Sequence, residues 1–137
     1  MAGASQKQVE VGSVADKDLG HFQVRIFTPE GDVPEGGWPG MMWLHGGGWV
    51  IGGLNSENGF LRHVCKCEDL AFRIDRLKLT DASDVQCMVI SVNYRHAPEH
   101  VYPAAIDDSV SGLQWILDHA ASISLNPSRL AVGGLSA

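Results

Sequence analysis

Residues 21–28, His-Phe-Gln-Val-Arg-Ile-Phe-Thr, alternate apolar and polar positions, so Phe22, Val24 and Ile26 share one side. A period of two predicts a strand with one buried face, in an antiparallel or edge position. A loop carrying Pro29, Gly31, Pro34, Gly36 and Gly37 follows it. The run 41–44 (Met-Met-Trp-Leu) is continuously apolar between Gly40 and Gly46, and the block 85–92 is rich in β-branched residues. Short runs of this kind predict strands covered on both faces. Pro103 opens a helix in which Ile106, Val110, Leu113 and Leu117 recur at helical spacing and are expected to face the core. A turn at Asn126-Pro127-Ser128 leads to a third short buried strand, 130–132. Strand, helix, strand in this order predicts an α/β architecture, a mostly parallel sheet with helical crossovers. The start of the chain, 1–20, is small and polar and carries no such pattern.

Composition narrows the function classes. With 137 residues and 45% hydrophobic positions, the chain has material for one folded core. Sixteen Asp and Glu against ten Lys and Arg give a net charge of −6. That balance lacks the basic patch that releases counterions from phosphates, so no nucleic-acid partner is expected. No apolar stretch is long enough for a signal peptide or a transmembrane segment, which predicts a soluble, cytoplasmic protein. Three cysteines, Cys65, Cys67 and Cys87, make an odd set that does not suggest a disulfide framework. The run His63-x-Cys65-x-Cys67 is spaced too tightly for a closed zinc site, so the thiols read as ordinary and no metal is expected.

Glycine is in excess, 16 of 137 residues, and clustered. His45-Gly46-Gly47-Gly48-Trp49 directly follows the strand ending at Leu44. Consecutive glycines there let backbone N–H groups converge on one space, where they can hold a developing oxyanion. Phosphate-loop patterns fail on spacing, since Ile51 and Leu54 stand where a Gly and a Lys would be needed. The second cluster, Gly133-Gly134-Leu135-Ser136-Ala137, follows a strand and supplies the first three positions of G-x-S-x-G, with small Ala137 next. In that motif the nucleophile sits on a sharp, strained strand-to-helix turn.

These blocks, in this order, resemble the hormone-sensitive-lipase-like branch of the α/β-hydrolase fold, a family of carboxylesterases and lipases. The resemblance rests on the loop 45–49, on the elbow at Ser136, and on Tyr94-Arg95-His96-Ala97-Pro98-Glu99 with its continuation Tyr102-Pro103-Ala104-Ala105. It implies that Ser136 is the catalytic nucleophile and that the amides of Gly46, Gly47 and Ala137 form the oxyanion hole. His45 and Gly48 would shape that loop, and Arg95 and Glu99 would brace the loops beside it. The plain reading of the last two is a solvated ion pair. The implied substrate is a small-molecule ester, with no metal or organic cofactor. Related hormone receptors on the same scaffold keep the Ser and the glycine loop but lose the catalytic His, so a non-catalytic small-molecule-binding protein is the alternative.

The family's chain order is Ser, then acid, then His. All six histidines (21, 45, 63, 96, 100, 119) precede Ser136. The resemblance therefore leads us to expect a partial α/β-hydrolase domain over 1–137, truncated after the nucleophile elbow and nearly inactive alone. A non-functional fragment with an exposed sheet edge is a third reading. The stretch 67–83 also exceeds the family pattern between the glycine loop and Tyr94. It reads as an insertion: a translated retained intron or, with Leu70, Ile74 and Leu77 at helical spacing, a surface helix extension.

Overall fold

The computed structural model describes residues 8–66 and 86–137. The suspected insertion at 67–83, and Cys67 with it, lies outside the described residues. The elements are β1 (Ser13–Asp18), β2 (Gln23–Thr28), β3 (Trp38–Leu44), α1 (Asn58–Lys66), β4 (Met88–Asn93), α2 (Ala104–His119) and β5 (Leu125–Gly134). They build one five-stranded sheet in the order β1-β2-β4-β3-β5. β3 is the hub of the parallel part, with Met42 opposite Ile90 of β4 and Val132 of β5. β2 and β1 extend the sheet with antiparallel pairings, Ile26 to Ile90 and Ala15 to Ile26. Parallel neighbours require crossovers, and α2 lies in the one from β4 to β5.

Alternation along the strands separates two apolar layers. Phe22, Val24, Ile26, Met42, Ile90 and Val92 form one layer with Ile116 of α2. Phe27, Trp43 and Val89 form the other with Leu61, Val64 and Cys65 of α1. Adjacent strand residues point to opposite faces, so each helix covers its own side of the sheet. The face Phe22, Val24 and Ile26 is the one the alternation predicts. The run 88–92 is buried on both sides, as its continuous apolar character demands.

Three expectations are corrected. α2 does not bury the stripe Ile106, Val110, Leu113, Leu117: only Leu113 packs against the core, and Val110 is 63% exposed. The buried line is Asp108, Gly112 and Ile116, a helix turned by about 130° from the expected face. Two contacts set that rotation. Asp108 is tied to Arg95, and Gly112 lets the helix close on β4, where a Cβ would stand 3.1 Å from Val92. The strand expected as buried over 130–132 is half-buried at Leu130 and exposed at Ala131 and Val132, because β5 pairs with β3 alone among the described residues. Its turn at 126–128 is a bulge inside β5, with the Ser128 amide donating to Asn126 Oδ1 at 3.0 Å. Within the segment 1–20, residues 13–18 form β1, held by the backbone ladder and by Arg25 gripping both oxygens of Asp16 at 2.6 and 2.7 Å.

Candidate active site

The site forms where β3 and β5, adjacent and parallel, end at the same level. Leu44 closes β3 and Gly134 closes β5, paired directly with each other. The Leu135 amide donates to the Leu44 carbonyl at 3.3 Å, which fastens the turn after β5 to the start of the glycine loop. Ser136 follows in the left-handed region, φ 50°. A non-glycine residue held there stores on the order of 1–3 kcal/mol of strain, and such strain clusters at reactive positions. Gly46 passes close beside it: a Cβ on Gly46 would stand 2.5 Å from the Leu135 carbonyl oxygen and 3.7 Å from Ser136 Cβ. The two glycine clusters, ninety positions apart in sequence, are thus in contact.

The loop's peptide planes are fixed by named partners. The Tyr94 hydroxyl donates to the His45 carbonyl at 2.6 Å. The next carbonyl, on Gly46, lies 2.9 Å from His45 Nδ1. A carbonyl only accepts, so Nδ1 is the donor of this bond. The carbonyl of Gly47 accepts from the amides of both Val50 and Ile51 at 3.2 Å. In a trans peptide the N–H points opposite to its C=O. Fixing the carbonyls of Gly46 and Gly47 therefore also fixes the amides of Gly47 and Gly48, each directed away from the carbonyl of its own peptide plane. Among the described residues neither amide donates to any acceptor, nor does that of Ala137. The Gly46 amide, expected with them, is taken: it donates to Glu57 Oε1 at 3.3 Å.

The core beneath the loop is aromatic. His45 is fully buried and stacks on Tyr94 at 4.3 Å, and His96 meets both rings edge-on at 5.3 Å. Burial, then the Glu57 charge, holds the Tyr94 hydroxyl above its ordinary range, so it stays a donor. Burial, then His45, pushes the His96 imidazole below its usual value, and the Glu99 charge offsets part of this. The Ala97 amide donates to the Trp49 carbonyl at 2.9 Å, tying the far end of the loop to the block after β4.

Arg95 and Glu99 do not pair with each other. Arg95 grips Asp108 of α2, with Nε to Oδ2 at 2.9 Å, Nη2 to Oδ1 at 2.8 Å, and its amide also to Oδ2 at 2.9 Å. Burial pushes the Asp108 carboxyl up, and the Arg95 hydrogen bonds and charge outweigh it and hold the carboxyl below its ordinary value. Glu99 is exposed and makes no hydrogen bond among the described residues. Glu57, Tyr94 and Asp108 are the partners that sequence reasoning left without a role. Asp108 was legible in principle as an acid four positions before a helical glycine.

An apolar cavity of about 290 Å³ opens beside the elbow, lined by Leu44, Trp49, Tyr94, Ile106, Val110 and Ala137. No histidine or carboxylate hydrogen-bonds to Ser136 among the described residues. No described helix is long and apolar enough to cross a membrane.

Residues 41–137 match a protein-family model described as alpha/beta hydrolase fold. An AB hydrolase superfamily protein of Schizosaccharomyces pombe is 42% identical over 113 residues, 82% of this chain and 28% of that protein. The carboxylesterase NlhH of Mycobacterium tuberculosis is 36% identical over 130 residues, 95% of this chain and 35% of its own length. Among solved structures, an ester hydrolase from the metagenome of Lake Arreo superposes with TM-score 0.72 at 32% identity, covering 94% of this chain and 36% of that one. EstE1, a thermostable carboxylesterase from a metagenomic library, superposes with TM-score 0.73 at 26% identity, covering 93% and 38%. The chain thus spans about a third of the length of these relatives.

Proposed function

Because the chain belongs to the α/β-hydrolase-fold family, in its hormone-sensitive-lipase-like branch of carboxylesterases and lipases, we propose that its site serves acyl transfer from a small carboxylic ester through Ser136. The observation that carries the reading is the pair of unengaged amides, Gly47 and Gly48, in the loop whose Gly46 packs against the strained turn of Ser136. Ser136 Oγ attacks the ester carbonyl carbon while a base takes its proton. The carbonyl oxygen gathers negative charge, and the amides of Gly47, Gly48 and Ala137 receive it in place before the reaction starts. The alcohol leaves with a proton, and water releases the acid from Ser136. Gly48 takes the donor place first given to Gly46, whose amide is held by Glu57. The apolar cavity beside Ala137 suits the hydrocarbon part of the ester.

No described residue stands as base to Ser136, so the 137 residues alone are expected to turn over little ester. The test is hydrolysis of p-nitrophenyl acetate by two proteins, each with Ser136 and with Ser136→Ala. One is the chain itself. The other is a chimera in which the chain replaces the matching stretch of a carboxylesterase relative. The expected chimera hydrolyses the ester and loses roughly 10⁴- to 10⁶-fold in kcat with Ser136→Ala. A folded chimera without Ser136-dependent turnover would overturn the catalytic reading in favour of ligand binding. Ser136-dependent turnover by the chain alone would overturn the need for an added base.

A further inference from the structure

Glu57 lies outside every motif read from the sequence, yet it joins three parts of the site. Its main-chain carbonyl accepts the Leu61 amide at 2.9 Å and so starts the first turn of α1. Its carboxylate divides its oxygens between two donors: Oε2 takes the indole Nε1–H of Trp43 at 3.3 Å, and Oε1 takes the Gly46 amide at 3.3 Å. The His45–Gly46 peptide plane is therefore held at both ends, by Tyr94 on the carbonyl and Glu57 on the amide. The following plane is held at its carbonyl by His45 Nδ1.

This matters because three successive glycines impose little steric preference on their own planes. The freedom that lets the loop turn also leaves each plane free to rotate, and only bonded partners stop it. We infer that Glu57 is a positioning residue of the oxyanion loop: its carboxylate fixes the His45–Gly46 plane, and through it the direction of the Gly47 and Gly48 amides that follow. The inference rests on the acyl-transfer reading above, and its first measurement stands apart from turnover.

Glu57→Gln keeps the shape and is diagnostic. A carboxylate satisfies two N–H donors, whereas an amide has one oxygen and turns its NH₂ toward the other. The amide resonances of Gly46, Gly47 and Gly48 and the indole resonance of Trp43 are followed by ¹H–¹⁵N NMR in the chain. The expected result is that Glu57→Gln moves Gly47 and Gly48 together with Gly46. Adding Trp43→Phe removes the competing donor, frees the amide oxygen for Gly46 and returns them part of the way. In the chimera, Glu57→Gln is expected to lower kcat about ten- to a hundredfold with KM little changed, less than the loss of a donor itself. Glu57→Asp, with the charge kept and the reach shortened, is the second variant and is expected to shift the same amides. Unmoved Gly47 and Gly48 resonances in a folded Glu57 variant overturn the inference, as does an unchanged kcat in an active chimera. If the chimera lacks Ser136-dependent turnover, the acyl-transfer reading fails, and the resonances still decide whether Glu57 sets the loop.

Discussion

At the scale of single residues, the site depends on which backbone groups are already taken. A run of three glycines announces a bend and a set of donors. It does not say which donors remain free, because that is decided by partners far away in sequence: Tyr94 at the end of β4 and Glu57 at the start of α1. Gly46 is where this distinction is sharpest. Its amide is engaged, yet its missing side chain is still essential, since a Cβ would stand 2.5 Å from the Leu135 carbonyl. A backbone oxygen fastened through the Leu135 amide to β3 cannot swing aside as a flexible side chain would. Gly46→Ala is therefore expected to displace the loop from the elbow. A misplacement of about 1 Å costs on the order of a hundredfold in rate. Ester hydrolysis in the active chimera checks this, and wild-type kcat in Gly46→Ala would refute the close approach.

At the scale of elements, legibility in the sequence followed burial. β2 was readable because its alternation is the signature of one buried face, and β4 because both its faces are covered. β1 was not, since Ser13–Asp18 is held by main-chain pairing and the Arg25–Asp16 pair and buries almost nothing. In α2 the pattern misled for a physical reason. Asp108 is buried because Arg95 neutralises it, and Gly112 is buried because it is small, while Ile106 and Val110 line the cavity by the elbow. Hydropathy scores none of these correctly. The close approach at Gly112 gives the test. Gly112→Ala gains up to about 1 kcal/mol of helix propensity but meets a stiff Val92 at 3.1 Å. Gly112→Leu has no room between α2 and β4 and is expected to destabilise by about 1–3 kcal/mol. Urea unfolding measures both, and a Leu variant as stable as wild type would show that α2 does not dock through this residue.

At the scale of the whole molecule, two Arg–Asp pairs fasten separate parts of one sheet. Arg25–Asp16 joins β1 to β2, and Arg25 also reaches Asn55 Oδ1 at 2.7 Å in the loop before α1. Arg95–Asp108 joins the end of β4 to α2. Both carboxyls lie below their ordinary value: Asp16 through its hydrogen bonds to Arg25, Asp108 because Arg95 outweighs its burial. A carboxyl depressed on folding contributes stability above its unfolded pKa, near 3.8, and that contribution fades as pH falls through the folded value. His96 acts at higher pH. Its folded value is lowered, so below an unfolded value near 6.5 the unfolded chain binds the proton first and stability falls. Each proton limits the slope to about 1.4 kcal/mol per pH unit. Urea unfolding from about pH 3 to about pH 8 is therefore expected to show a shallow decline below about 6.5 and a steeper one below about 4. Arg95→Ala separates the two. It leaves Asp108 buried with only the backbone amide of residue 95 as donor, so that carboxyl protonates at higher pH and the acid step moves up, while the His96 step stays. An acid step at the same pH in Arg95→Ala and wild type would mean that the Arg95–Asp108 pair does not govern acid stability.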